Sequence, residues 1–473
     1  MGPRRAEPFA EDPPYPARYA NRETPAQRVG ETSGSRPDAT AMTDAAPNSV
    51  PEADTFSVSR GELIYATTLI ALASGFNYLD RSGLSILIEP IKHEFALTDT
   101  QAGLLTGFAF SVTYACFAIP LARLADNRNR VRLLSACIAV WSVATVLAGT
   151  VTSFLQMTLT RVVVGIGEAG GNPTSVSMLG DYYTPETRTR GLSLFNLGAT
   201  TGATLGLALI GVIADQFGWR VAFYVMGAPG ILLAIVVFAT LREPVRGRFQ
   251  DPSLAYDTDI GWLTAVRQAL RPNTMRHLLV AYSIVAFGSN GAGAWLGAFF
   301  MRTHDLTLTE VGAVLGLISG LSSLVGTLLG ALGTPWLVRR DRRWELWLPG
   351  FVYAAIVPVY IFLFYSDDVE LVYLALGFTS FAAAAIVGAI LSAMQSVLPA
   401  HLRAMGMALS MFAVSFVGDG AGPLLVGWTS ALLAPEIGGE SLRYAVILGV
   451  AVMAWGIVHF FLGAKHQRRD LVS

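Results

Sequence analysis

Charge is what this sequence has least of: Asp, Glu, Lys and Arg make up 14% of its 473 residues, where soluble domains carry about 25%. A soluble fold is not expected. Cysteine is nearly absent too, and Cys116 and Cys137 both fall in apolar stretches, so packing is expected of them and not a disulfide or a metal site. There is no Cys/His metal spacing, no Gly-x-Ser-x-Gly elbow and no Gly-x-x-x-x-Gly-Lys loop. No enzyme activity, metal or cofactor is therefore expected. A net charge of −1 gives no field to attract nucleic acid. Residues 1–58 lack any apolar run behind their basic start, which argues against a signal peptide. Rich in Pro, Ala, Thr, Ser and Glu, they cannot bury a core and are expected to form a disordered cytoplasmic tail.

What fills the rest is hydrophobic: 53% of the chain, with a mean hydropathy of +0.50. Apolar runs long enough to cross about 30 Å of hydrocarbon recur from Gly61 onward. Twelve are expected, at 62–90, 100–122, 131–151, 154–181, 190–214, 219–241, 276–301, 309–337, 345–365, 370–397, 404–433 and 442–464. The one long connection divides them into six and six. The reading is an all-α membrane protein with an N-terminal six-helix bundle (59–241), a linker (242–275), a C-terminal six-helix bundle (276–464) and a short tail (465–473).

Arginines and lysines fall on alternate connections. One set holds Arg123, Arg128, Arg130, Arg132, Arg188, Arg190, Arg242, Arg246, Arg248, Arg267, Arg271, Arg276, Arg339, Arg340, Arg342, Arg343, Arg403, Lys465, Arg468 and Arg469. The other holds only Lys92, Arg220, Arg302 and Arg443. Twenty against four predicts that both termini and the linker are cytoplasmic; the membrane itself is taken to be a bacterial inner membrane. Within the linker, Ile260, Leu263, Val266 and Leu270 repeat at helical spacing opposite Asp259, Arg267 and Arg271, which predicts a helix on the membrane surface.

Charges inside the apolar runs are the candidates for function. Asp80 and Arg81 sit side by side in the first run, and Arg161 and Glu168 lie seven residues, about two helical turns, apart on one face of the fourth. Each costs about 2.5–3.5 kcal/mol at the centre of a spanning helix, so each needs a partner or water. A purely structural ion pair is a weak device for stability, which favours function. In low dielectric a carboxylate leans toward its neutral form, so Glu168, Asp80 and Arg81 are assigned to proton coupling. Protonating an acid would free an arginine, Arg81 or Arg161, to hold an anionic head group. In the second half, Asn290, Trp295, Gln395 and Asp419 are the candidate substrate contacts; Asp419, among the helix breakers of Gly418-Asp419-Gly420-Ala-Gly422-Pro423, is either a site residue or a local backbone cap.

The halves repeat. Leu97-Thr98-x-Thr100-x-x-Gly103-x-x-x-Gly107 matches Leu306-Thr307-x-Thr309-x-x-Gly312-x-x-x-Gly316 at an offset of 209 residues, and Pro185-x-x-Arg188 matches Pro399-x-x-x-Arg403. Such parallel six-helix repeats resemble the major facilitator superfamily. The loop Ala122-Arg-Leu-Ala-Asp126-Asn-Arg128-Asn129-Arg130 is similar to that family's Gly-x-x-x-Asp-Arg-x-Gly-Arg signature, with Ala122 and Asn129 replacing glycines. Arg161 to Gly165 resembles its second signature, and Gly198, Gly202 and Gly206 its antiporter stripe without the Gly-Pro pair. Tyr78-Leu79-Asp80-Arg81, Gly165-Ile-Gly167-Glu168-Ala169 and Asp126-x-Arg128-Asn129-Arg130 together look like the spinster group. That resemblance implies proton-linked alternating-access transport of a lysophospholipid or sphingoid-phosphate type of amphiphile, with Asp80, Arg81 and Glu168 at stake. Asp126, Arg128 and Arg130 are read as a cytoplasmic gate, with Asp126 pairing to segment eleven and favouring an outward-open state. Membrane lipids and a small amphiphilic substrate are the expected partners of a monomer. The alternatives are a symporter or antiporter for a small organic anion or drug, and a lipid sensor that transports nothing.

Overall fold

A computed structural model of the chain describes residues 59–249 and 261–471. The tail reading for 1–58, and Asp259 and Ile260 of the linker reading, lie outside the described residues. The spanning helices are α1 Arg60–Phe95, α2 Asp99–Asn127, α3 Arg130–Ala148, α4 154–182, α5 Arg188–Phe217, α6 Trp219–Thr240, α7 Asn273–Thr303, α8 Leu308–Arg340, α9 Trp344–Tyr365, α10 Val369–Ser396, α11 400–437 and α12 441–470. Nine helical stretches among the described residues are long and apolar enough to cross a membrane, and the last of these, His401–Asp470, is α11 and α12 joined by a short 3₁₀ turn. The two spans outside that set are α1 and α4: α1 is one continuous helix that carries Asp80 and Arg81 in its middle, and α4 is cut at Gly170 into Phe154–Ala169 and Gly171–Tyr182, with Arg161 and Glu168 in the first piece.

The sequence repeat is a structural repeat. Ala96 and Asp305, 209 residues apart, both adopt the left-handed conformation (φ 50° and 52°) and end the turn before α2 and α8. Each is followed by a capping box: Thr98 Oγ1 accepts from the Gln101 N–H while Gln101 Oε1 accepts from the Thr98 N–H, and Thr307 with Glu310 does the same. A π-helical stretch follows in both, Leu104–Phe108 in α2 and Val314–Ser319 in α8, and α11 has a third at Val414–Ala421.

Glycine sets how closely these helices approach. A Cβ on Gly198 or Gly202 of α5 would lie 2.1 Å from the carbonyl oxygen of Ala71 or Gly75 on α1. The aligned glycines join the two halves: a Cβ on Gly103 or Gly107 would stand 2.5 or 2.6 Å from α11 carbonyls, and one on Gly312 or Gly316 2.7 or 2.4 Å from α5 carbonyls. These joints lie toward the end of the molecule opposite the basic connections, here called the far end.

The short linker helix is Trp262–Ala269. It buries Ala265 and Ala269, while Trp262 and Leu263 stay exposed, as a surface helix with one docked and one free face would. Leu270 falls at its C-cap.

Candidate functional site

The close packing of α4 builds the site. A Cβ on Gly165 would meet Thr113 Oγ1 at 2.2 Å and the Phe110 carbonyl at 2.7 Å on α2, and one on Gly167 would meet the Trp141 nitrogen of α3 at 2.7 Å. With hydrogen at both positions α4 lies deep against α2 and α3, and Glu168 reaches α1. Arg81 Nε donates to Glu168 Oε2 at 2.6 Å. Glu168 is fully buried, its other oxygen has no hydrogen-bond partner, and the Arg81 side chain is 24% exposed. The guanidinium lies over Tyr114 (4.5 Å), Phe110 (4.9 Å) and Tyr78 (5.8 Å), within the range of cation–π attraction. An aromatic box thus faces an arginine whose only ionic partner among the described residues is Glu168.

The second acid and base form a separate, deeper pair. Arg161 Nη1 lies 3.3 Å from Asp80 Oδ2, and Thr145 Oγ1 donates to Asp80 Oδ1 at 2.8 Å. Both charged side chains are buried, so in this structure Arg161, read from sequence as a candidate for the head group, is shielded and paired to Asp80. Its Nε, without a partner, and the 3.3 Å contact make this pair looser than the Arg81 pair.

Across from Arg81, in the π-helical stretch of α11, Asp419 accepts from Asn290 Nδ2 at 2.6 Å and from Ser415 Oγ at 3.4 Å. It is half-buried. Its carboxylate accepts only from side chains among the described residues, so it does not act as the backbone cap of its second sequence reading. Two expectations for the second half are corrected. Trp295 is 1% exposed with its indole N–H donated to the Pro423 carbonyl, so in this structure it packs α7 on α11 and faces no cavity. Gln395 is exposed one residue from the basic end of α10, away from the mid-membrane charges.

A set of charges that sequence reasoning missed closes the far end. Arg302 of α7 donates to both oxygens of Glu89 on α1 (2.9 and 2.7 Å) and to both of Asp99 on α2 (3.0 Å each). Asp99 also takes Lys92 at 2.6 Å and Ser430 of α11 at 2.6 Å. The Arg302 bonds, Ser430 donating to Asp99 and Thr309 donating to Asp215 are the hydrogen bonds between the halves among the described residues. These contacts shut the far end, and among the described residues no hydrogen bond or ion pair joins the halves at the basic end.

The gate reading divides. Arg130 is buried and held within the first half by Asp181 (2.5 Å), Glu243 (2.7 Å) and the Pro244 carbonyl, so it braces α3 against α4 and does not reach across. Asp126 and Arg128 are exposed, and Arg246 donates to the carbonyl oxygen of each. The Asp126 carboxylate makes no hydrogen bond or ion pair among the described residues, and none joins loop 123–132 to 339–343. A latch that forms only when the basic end closes would look like this. We expect Asp126→Asn to leave this open form unchanged and to deplete the form closed at the basic end. Spin-label distances between the two loops check this; an unaltered distribution under both acidic and neutral conditions would rule out the latch.

Comparison with known proteins places these features among transporters. Residues 70–423 match the profile of the Major Facilitator Superfamily. An MFS-type efflux pump of Mycolicibacterium smegmatis is 30% identical over 415 residues, covering 86% of this chain and 94% of that protein. The sphingosine-1-phosphate transporter SPNS2 of Danio rerio is 26% identical over 409 residues, 82% of this chain and 80% of the relative. Among solved structures, a bacterial homolog of the human lysosomal transporter spinster, inward-facing and unoccupied, superimposes with a TM-score of 0.80 at 27% identity, covering 88% of this chain and 99% of the other.

Proposed function

Because this chain belongs to the Major Facilitator Superfamily, we propose that it moves an amphiphilic anion of the lysophospholipid or sphingoid-phosphate type by alternating access, with Glu168 exchanging the coupling proton. The observation that carries this reading is the Arg81–Glu168 contact at 2.6 Å inside an aromatic box. With Glu168 ionised, Arg81 is neutralised and has little to offer a second anion. With Glu168 protonated, the guanidinium is left positive and flanked by apolar rings, a site suited to a phosphate attached to a hydrocarbon tail. One proton and one anion thus compete for the same guanidinium, which is the elementary requirement for coupling. The relatives named for sphingosine-1-phosphate transport support the lipid-like cargo. If the basic end is cytoplasmic, as the positive-inside rule has it, the site opens to the cytoplasm of an inner membrane with both termini on that side.

A second reading rests on the efflux-pump relative, which shares the larger identity: the cargo is then a small organic anion or drug, held by the same arginine. Proteoliposomes with a trapped pH dye discriminate. Lysophospholipid addition should produce proton movement in fixed ratio to lipid flux. Flux indifferent to an imposed pH gradient would overturn the coupling, and competition by drug-like anions without lysolipid flux would move the cargo to the second reading.

A further inference from the structure

Away from the Arg81 site, a cavity of about 760 Å³ opens at the basic end of the second half, between the last turns of α8 and α10 and the end of α12. Its walls are of two kinds. Ala331, Pro335 and Val338 of α8 are apolar, whereas Arg339, Arg340 and Arg342 form its rim. Thr334 lines it too, 9% exposed, with a buried hydroxyl that has no hydrogen-bond partner.

The charges around this cavity do not cancel. Five arginines, Arg339, Arg340, Arg342, Arg343 and Arg468, meet two carboxylates, Asp341 and Glu345. Asp341 is taken by Arg343 (2.9 Å) and Arg468 (2.6 Å), and the Arg343 hydrogen bonds hold its carboxyl well below the usual range, so it stays ionised at neutral pH. Glu345, fully buried, accepts from Gln467 (2.6 Å), Ser392 (2.8 Å) and Ser396 (3.0 Å), leaving Arg342 a distant partner at 3.4 Å. Arg339 and Arg340 have no hydrogen bond or ion pair among the described residues; the Arg340 guanidinium lies over the Trp336 ring, 3.8 Å from its centre. Positive charge is thus left over at the mouth of a half-apolar cavity at the membrane edge.

From that mouth an apolar strip runs toward mid-membrane. Leu328, Leu332 and Trp336 recur every four residues on one face of α8 and are 58%, 76% and 55% exposed. A soluble phosphate would use the arginines and leave the strip idle. A ligand with a phosphate and an acyl chain uses both. We propose that this cavity binds the head group of an anionic phospholipid from the leaflet at the basic end, its phosphate on Arg339, Arg340 and Arg342 with Thr334 as a hydroxyl donor, and an acyl chain along the α8 strip. The site is independent of the transport reading, since none of its residues contacts Arg81 or Glu168.

The test uses the full chain in mixed micelles, with lipid retention read by native mass spectrometry. Phosphatidylglycerol should be retained in preference to phosphatidylcholine. The triple variant Arg339→Gln/Arg340→Gln/Arg342→Gln should lose that preference by about tenfold or more, and Thr334→Val should weaken it less. Retention equal for the two lipids, or unchanged in the triple variant, overturns the proposal. Displacement by millimolar glycerol 3-phosphate as effective as by the lipid would make the ligand a free phosphate and overturn the lipid assignment. Loss of retention in Arg81→Gln/Glu168→Gln, with the triple variant unaffected, would place the bound lipid in the central cavity and also overturn it.

Discussion

Glu168→Gln should give a folded protein whose transport no longer responds to a pH gradient. The substitution keeps the size of the side chain and offers Arg81 an amide oxygen in place of Oε2, so the 2.6 Å contact has a neutral substitute. What is lost is the ability to be charged in one state and neutral in another. Substrate binding should survive or tighten, because Arg81 then stays positive throughout; gradient-driven accumulation should fall to the level of empty liposomes. Arg81→Ala is the harsher change. It leaves a fully buried carboxylate with its only ionic partner gone, an arrangement that costs about 3–5 kcal/mol when one member of a buried pair is removed. The double variant should recover much of that stability, since a neutral amide does not need the arginine, while remaining inactive. Thermal melts beside liposome flux give both readouts. If Glu168→Gln follows the gradient as wild type does, the proton travels elsewhere, and Asp80 or Asp419 inherits the role.

Arg302→Ala should open the far end. This one side chain ties α7 to α1 and α2 through four hydrogen bonds, to Glu89 and Asp99, and it is only 19% exposed. Truncating it leaves Glu89 without its partner and Asp99 with Lys92 and Ser430. Losing one member of a desolvated, hydrogen-bonded charge pair across an interface costs about 2–5 kcal/mol, and each 1.4 kcal/mol, roughly, moves a two-state population tenfold. The form closed at the far end should therefore yield most of its population to the opposite one. Labels on the α1–α2 and α7–α8 turns should report a longer distance in Arg302→Ala. Arg302→Lys should fall between, since an ammonium cannot grip two carboxylates with paired parallel bonds. Identical distance distributions in all three proteins would mean that backbone packing alone holds this end.

The parts of this architecture written in local spacing were open to sequence reasoning. The repeated Thr and Gly positions before α2 and α8 are patterns within one segment, and the structure gives both a capping box and close-packed glycines there. The four mid-membrane charges stood out for the same reason, being costly where they lie. Which base meets which acid was not legible. Arg81 and Asp80 are neighbours on α1 and point to different sides, and only the seating of α4 on Gly165 and Gly167 decides that Glu168 takes the first and Arg161 the second. The Arg302 network was hidden differently. Glu89, Lys92, Asp99 and Arg302 each sit at a helix end, where a charge needs no explanation, and their meaning comes only from three helices of two halves arriving at one place. Trp295 misled because an indole in an apolar run has two ways to satisfy its N–H, and the Pro423 carbonyl was the one used.

The joint between the halves is made of backbone: at Gly103, Gly107, Gly312 and Gly316 no side chain on the glycine's own helix stands between it and the carbonyls of the facing helix. Only glycine fits those four places, so the joint leaves almost nothing to vary. The pocket beside Arg81 is lined by Ser74, Asn77, Tyr78, Asn172 and Ser175, none of which is among the atoms those four glycines meet, so these positions are not held by the joint. Inheritance can therefore treat the two separately. A lineage can exchange one cargo for another by altering a handful of wall residues while the moving scaffold is passed on intact, and a substitution at any of the four glycines would be expected to damage every cargo alike.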